Sequence, residues 1–129
     1  MRVLVCGGRN YGDIQKLYEV LDAIRNRAPH DAMVVIQGGA TGADYLARQW
    51  AMDRCVPYEN YPADWKKYGR SAGPLRNDRM IAVGRPDLVV AFPGGRGTAD
   101  MVRRAHAAEI TVYNVETETT LSHHAPTSG

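Results

Sequence analysis

Three short segments of the chain share a pattern that suits anion binding: Gly7-Gly8-Arg9-Asn10-Tyr11-Gly12-Asp13, Gly38-Gly39-Ala40-Thr41-Gly42-Ala43-Asp44 and Gly94-Gly95-Arg96-Gly97-Thr98-Ala99-Asp100. Each opens with two glycines at the end of an apolar run and places an aspartate six residues after the first glycine. Glycine lets the backbone turn sharply and lets a ligand approach the main chain. A helix starting just after such a turn presents unpaired N–H groups to a phosphate. The same pattern has a purely structural explanation, because strand-to-helix turns are tight and aspartate is a good helix N-cap. The segment from Pro93 to Asp100 is the strongest candidate, since Gly95, Gly97 and Thr98 follow an apolar strand and open a helix.

A second group of reactive side chains lies between Pro62 and Met80, where Trp65, Lys66, Lys67, Tyr68, Arg70, Arg76, Asn77 and Arg79 interleave base and aromatic. Arginines bind phosphate bidentately and a flat indole or phenol can stack on a base. Arg70, Arg76 and Arg79 are the phosphate candidates. Trp65 reads either as an anchor packed onto the domain or as a stacking face. An arginine near a helix start opposes the helix dipole unless an anion is close, which favours a binding role for Arg76.

Other chemistries find no support. No Gly-Lys-Ser/Thr follows any glycine turn, and Asp100 stands where a dinucleotide fingerprint needs its third glycine. There is no Gly-x-Ser-x-Gly elbow. Two cysteines far apart and four scattered histidines give no metal-ligating spacing, so neither metal nor cofactor is expected. Cys6 and Cys55 both read as small core residues.

The elements that must position these residues follow from apolar patterning. Continuous runs at Val3–Cys6, Met33–Ile36, Leu88–Phe92 and Ile110–Val115 suit strands buried on both faces. Helical spacing runs through Ile14–Ala28, Ala43–Ala51, Leu75–Val83 with Pro74 in the first turn, and Val102–Glu109. The polar, proline-bearing segment Val56–Tyr61 suits a sheet edge. Strand–helix alternation implies an α/β fold: one Rossmann-like, doubly wound parallel sheet of about five strands in order 3-2-1-4-5, with the Pro57 and Ile110 segments outermost. All three glycine turns then fall on its carboxyl edge, where open α/β sheets bind ligands. The stretch 62–73 is expected as a long functional connection. Residues 1–116 are expected to form this domain and 117–129 a flexible tail.

With 129 residues the chain fits one domain, and 44% hydrophobic against 23% charged residues is a globular balance. No apolar run reaches membrane-spanning length and no signal peptide is evident, so a cytoplasmic location without membrane partners is expected. A net charge of +2 makes a nucleic-acid partner unlikely to be driven by charge.

Gly38–Asp44, Pro62-Ala63-Asp64-Trp65, Ala72–Met80 and Pro93–Thr98 together resemble the YspA/YpsA-related branch of the SLOG superfamily, which also holds the Lonely Guy enzymes and DNA-processing protein A. The resemblance runs from about Val3 to Val115. It implies a Rossmann-like domain that binds a nucleotide or nucleotide-derived small molecule, often as a homodimer. In the Lonely Guy enzymes a Pro-Gly-Gly-x-Gly-Thr-x-x-Glu motif holds the 5′-phosphate and supplies a catalytic glutamate. Pro93, Gly94, Gly95, Gly97 and Thr98 match that motif, and Arg76 takes the place of the arginine that joins it. Met101 stands at the glutamate position. On this basis the ligand-binding candidates are Gly7, Gly8, Arg9, Gly38, Gly39, Thr41, Trp65, Arg70, Arg76, Asn77, Pro93, Gly94, Gly95, Arg96, Gly97 and Thr98. Arg76, Asp100, Asp44 and, less directly, Asp13 are the catalytic candidates. The readings are a binding or sensing module, a phosphoribohydrolase cleaving a nucleoside 5′-monophosphate, and single-stranded DNA binding.

Overall fold

The computed structural model describes residues 1–115 and the backbone of Thr119–Thr120. Strands β1 (Arg2–Cys6), β2 (Val34–Gln37), β3 (Tyr58–Asn60), β4 (Leu88–Ala91), β5 (Thr111–Asn114) and β6 (Thr119–Thr120) form one sheet in the order β3-β2-β1-β4-β5-β6. The first five are parallel in the expected order 3-2-1-4-5. The Ile110 run was expected outermost, but two residues of β6 pair antiparallel beyond β5, Tyr113 opposite Thr120. Apart from these two residues, the expected tail 117–129 lies outside the described residues.

Alternation along each strand divides the core into two layers. Val3, Val5 and Val35 face helices α1 (Ile14–Arg27) and α2 (Ala43–Asp53), packing with Leu17, Leu21, Ala47 and Trp50. Leu4, Cys6, Ile36 and Val89 face the other way, onto Met80 of α4 (Ala72–Ala82) and Met101 and Ala105 of α5 (Arg96–Ala107). Trp50 is fully buried and its Nε1 donates to Asp22 Oδ1 at 2.9 Å, while Arg54 clamps both oxygens of the same carboxylate at 2.9 and 3.0 Å. Truncating an indole so placed costs about 3–5 kcal/mol, so the α1–α2 layer is a rigid support for the turns above it.

The connection 62–73 is shorter as a loop than expected. Asp64 accepts from Lys67 N at 3.1 Å and starts a four-residue helix, α3 (Trp65–Tyr68); a single 3-10 turn, Gly69–Ser71, then runs straight into α4. Cys6 is a core residue as expected. Cys55 is not: it sits exposed just past α2 with φ 56°, where the chain reverses into β3. Among the described residues no helix is long and apolar enough to cross a membrane.

Candidate functional site

The β1, β2 and β4 turns meet at the sheet's carboxyl edge, where β1 and β4 leave in opposite directions. They interlock mainly through backbone. Gly8 N donates to Pro93 O at 2.9 Å, and Gly8 O accepts from Ala43 N at 3.2 Å. A Cβ on Gly7 would lie 2.6 Å from that of Ala43, and one on Gly94 would lie 2.6 Å from Gly8 N. Gly42 has φ +73° and a Cβ there would overlap the Gly8 carbonyl oxygen. For these residues the reason for glycine is packing.

Gly95 and Gly97 differ: a Cβ on either meets nothing within 4 Å. Gly95 is the N-cap of α5 but offers no side-chain cap, and the first turn holds no acidic residue. The first-turn N–H groups have no intrahelical acceptor and carry the positive end of the helix dipole, and Gly95, Arg96, Gly97 and Thr98 border open space. That space is a cleft of about 690 Å³ between this turn, the β1 turn and the α3–α4 segment.

The floor of the cleft is set by α4. Arg76 donates from Nη1 to Gly38 O at 2.6 Å and from Nε to Asn77 Oδ1 at 3.1 Å. A Cβ on Gly38 would collide with that guanidinium, so glycine there is what admits Arg76. Both bonds are to neutral acceptors. Burial lowers the Arg76 pKa, Asp44 counteracts it at a distance, and Arg9 adds repulsion. Arg76 is therefore a half-buried cation with no carboxylate in hydrogen-bond contact. Because α4 starts at Ala72, Arg76 lies a full turn inside the helix, so burial, rather than the dipole expected to disfavour it, singles it out.

The three aspartates play different parts. Asp13 is the N-cap of α1, accepting from Lys16 N at 3.1 Å. Asp44 is the second residue of α2, and its Oδ2 turns back to accept from Gly38 N and Ala40 N, both at 3.2 Å. Burial pushes its carboxyl above the ordinary range, against the lowering effect of the Ala40 N–H, Arg76 and the Gly38 N–H. Asp100 sits within α5, where it accepts from Asn77 Nδ2 at 3.0 Å and Arg104 Nε at 2.8 Å and pairs with Arg103. Burial alone would raise its pKa, but the bonds from Arg104, Asn77 and Arg103 hold it below the usual carboxylate range. It is a neutralised structural carboxylate. The other charges lining the cleft, Arg9, Arg70, Arg76 and Arg96, leave it net cationic.

Of the sequence candidates, Gly7, Gly8, Arg9, Asp44, Trp65 and Arg70 come together on the cleft wall with Arg76, Asn77, Gly95, Arg96, Gly97, Thr98 and Asp100. Gly38, Gly39, Thr41, Pro93 and Gly94 stand behind it: Thr41 Oγ1 donates to Arg9 O at 3.1 Å, and Gly39 backs onto Asn60. Asn77, only 4% exposed, uses its amide to tie Gly97 O at 3.1 Å and Asp100, fastening α4 to the start of α5. Arg79, a phosphate candidate by sequence, instead lies over Tyr61, 5.5 Å from the ring centroid. Met101 points into the sheet–helix core and is fully buried. The sequence reading missed Cys6, Ala40, Gly73, Pro74 and Met80 on the cleft wall; the strand ending at Cys6 was the available signal.

Residues 1–68 match the profile of the YAcAr family, described as the YspA, cpYpsA-related SLOG family, and the chain belongs to it. Gene 61 protein of Mycobacterium phage D29 is 39% identical over 120 residues, covering 88% of this chain and 94% of that protein. Among solved structures, DNA processing protein A from Streptococcus pneumoniae superposes with a TM-score of 0.68 at 18% identity, over 88% of this chain and 49% of that one. The structural-genomics protein TM1055 superposes with a TM-score of 0.62 at 18% identity, over 86% of this chain and 71% of that one. At such identities these likenesses speak for the Rossmann-like fold alone.

Proposed function

We propose that the protein is a binding or sensing module for a nucleotide or nucleotide-derived small molecule, held by its phosphate at the start of α5. One observation carries the reading: Gly95 and Gly97 have no packing reason to be glycine, and they line one cleft with the half-buried Arg76, whose hydrogen bonds go to neutral acceptors. Gly97 inside a helix costs about 0.5–1 kcal/mol relative to alanine, a penalty that ligand approach explains. A phosphate there would take bonds from the N–H groups of Gly97 and Thr98, with Arg76 and Arg9 neutralising its charge.

Hydrolysis of the base–ribose bond is the second reading, and Asp44 is the observation in its favour. Of the two carboxylates lining the cleft, it is the one in which burial outweighs the hydrogen bonds and nearby arginines, so that its pKa is raised on balance, as a general acid requires. Asp100, held ionised by two arginines, is unsuited to that role, and Met101 lies outside the cleft.

Purified protein incubated with nucleoside monophosphates, NAD and ADP-ribose, followed by titration and by mass spectrometry for free base, tests both. The expected outcome is saturable binding of intact ligand, weakened roughly 10–100-fold in Arg76→Ala, the effect of one charged hydrogen-bonding partner. Base release that disappears in Asp44→Asn would establish the hydrolase. Absence of saturable binding would overturn the proposal.

A further inference from the structure

The cleft's mouth holds an aromatic group that phosphate capture does not use. Trp65, the first residue of α3, is 47% exposed, whereas Trp50, the chain's other tryptophan, is fully buried. The Trp65 ring rests on the first turn of α4, where a Cβ on Gly73 would lie 3.4 Å from its Cη2. Its position is therefore fixed from behind while a face stays available. Arg9, from the β1 turn, covers that face with its guanidinium 5.0 Å from the ring centroid. The spacing is too close for a third flat group to slip between them. Among the described residues no carboxylate is paired with Arg9 to hold it there, and a cation–π contact at an exposed site is weak.

From this geometry we infer that Trp65 is the platform for the ligand's aromatic base, and that the base displaces Arg9 from the ring, freeing its guanidinium for the ligand's phosphate. The inference rests on the phosphate reading above and narrows its ligand class to phosphate esters carrying a planar heteroaromatic ring. It also predicts tolerance between bases. Every base has a π-face, so stacking is indifferent to sequence. Gly73 and Pro74, which line the cleft with Trp65, carry no side-chain hydrogen-bond donor, so that part of the wall has little with which to read a base edge.

The test compares adenosine, guanosine and uridine monophosphates with ribose 5-phosphate on the full chain, on Trp65→Ala and on Trp65→Phe. Wild-type protein is expected to favour each nucleotide over the sugar phosphate by roughly tenfold or more, the order of a single base–aromatic stack. Trp65→Ala should bring the nucleotides to the level of ribose 5-phosphate without weakening ribose 5-phosphate itself, whose phosphate can then also draw on the released Arg9, and Trp65→Phe should restore most of the gap. Trp50 is shielded, so nucleotide-dependent quenching of indole emission reports Trp65 and should vanish in Trp65→Phe. Unchanged nucleotide affinity in Trp65→Ala overturns the inference, as does an equal loss for the sugar phosphate, which would give Trp65 a role in the fold. Equal wild-type affinity for nucleotide and ribose 5-phosphate would sink the inference while leaving the phosphate reading standing. Binding of neither would remove the phosphate reading too.

Discussion

The β2 and β4 turns both begin Gly-Gly and both start a helix at the same edge of the sheet, yet their glycines answer to different forces. In the β2 turn Gly42 lies at φ +73° with its Cα against the Gly8 carbonyl, and Gly38 makes room for Arg76. In the β4 turn Gly94 packs in the same way, but Gly95 and Gly97 border empty space. A glycine whose missing Cβ would strike protein belongs to the fold. One whose missing Cβ would strike nothing, in a helix where it lowers stability, has no such reason, and on the proposed reading it is kept for the ligand. The motif alone does not separate the cases; the surroundings do.

Substitutions that add a single methyl group should split these two regions. Gly42→Ala combines left-handed backbone with backbone overlap and should cost roughly 3–5 kcal/mol. That is a large share of the 5–15 kcal/mol typical of a domain, and denaturant melts would show it directly. Gly97→Ala should do the opposite to stability, adding about 0.5–1 kcal/mol as the helix start gains a better helix former. It should also weaken nucleotide binding roughly tenfold, the worth of one charge-assisted hydrogen bond. A Gly97→Ala protein that is more stable and binds as well as wild type would remove the distinction between the turns.

Asp44 gives the smallest effect and probes the β2 turn by pH. Its carboxyl is raised in the folded protein, so the folded state prefers the protonated form. Its contribution to stability therefore falls as pH climbs from the ordinary carboxylate value of 3.8 through the raised value, and is flat above. Asp44→Asn keeps an acceptor for Gly38 N and Ala40 N and should lose that decline. Urea midpoints from pH 4 to 7 would then converge on the wild-type values at the acid end and exceed them at neutral pH. Parallel curves for the two proteins would contradict the assignment.

Much of this arrangement was legible in the chain because burial writes it there. Val3–Cys6 and Leu88–Phe92 are apolar on both sides, which only central parallel strands need, and the order 3-2-1-4-5 follows. β6 left no such trace, since two residues are too few to carry a pattern. α3 was hidden for a related reason: four residues held by the Asp64 cap, two of them lysines, have no periodicity to detect. At the site, Arg76 and the α5 glycines were identifiable from residue type and spacing. The aspartates were not separable, because equal spacing from a glycine pair gave Asp13 a cap, Asp44 a brace across its own turn and Asp100 a pair of arginines. Those fates depend on where each helix begins, and Gly42 and Gly95 start theirs before the aspartate is reached.

The central claim is that the phosphate sits on the first turn of α5 and not on the neighbouring glycine turns. Backbone amide chemical shifts followed by NMR during titration with a nucleoside monophosphate test it most directly. The account predicts saturable shifts concentrated at Gly95, Arg96, Gly97 and Thr98, and largely abolished in Arg76→Ala. Shifts centred instead on Gly38–Gly42 or Gly7–Gly12, or no saturable shift at α5, would contradict it.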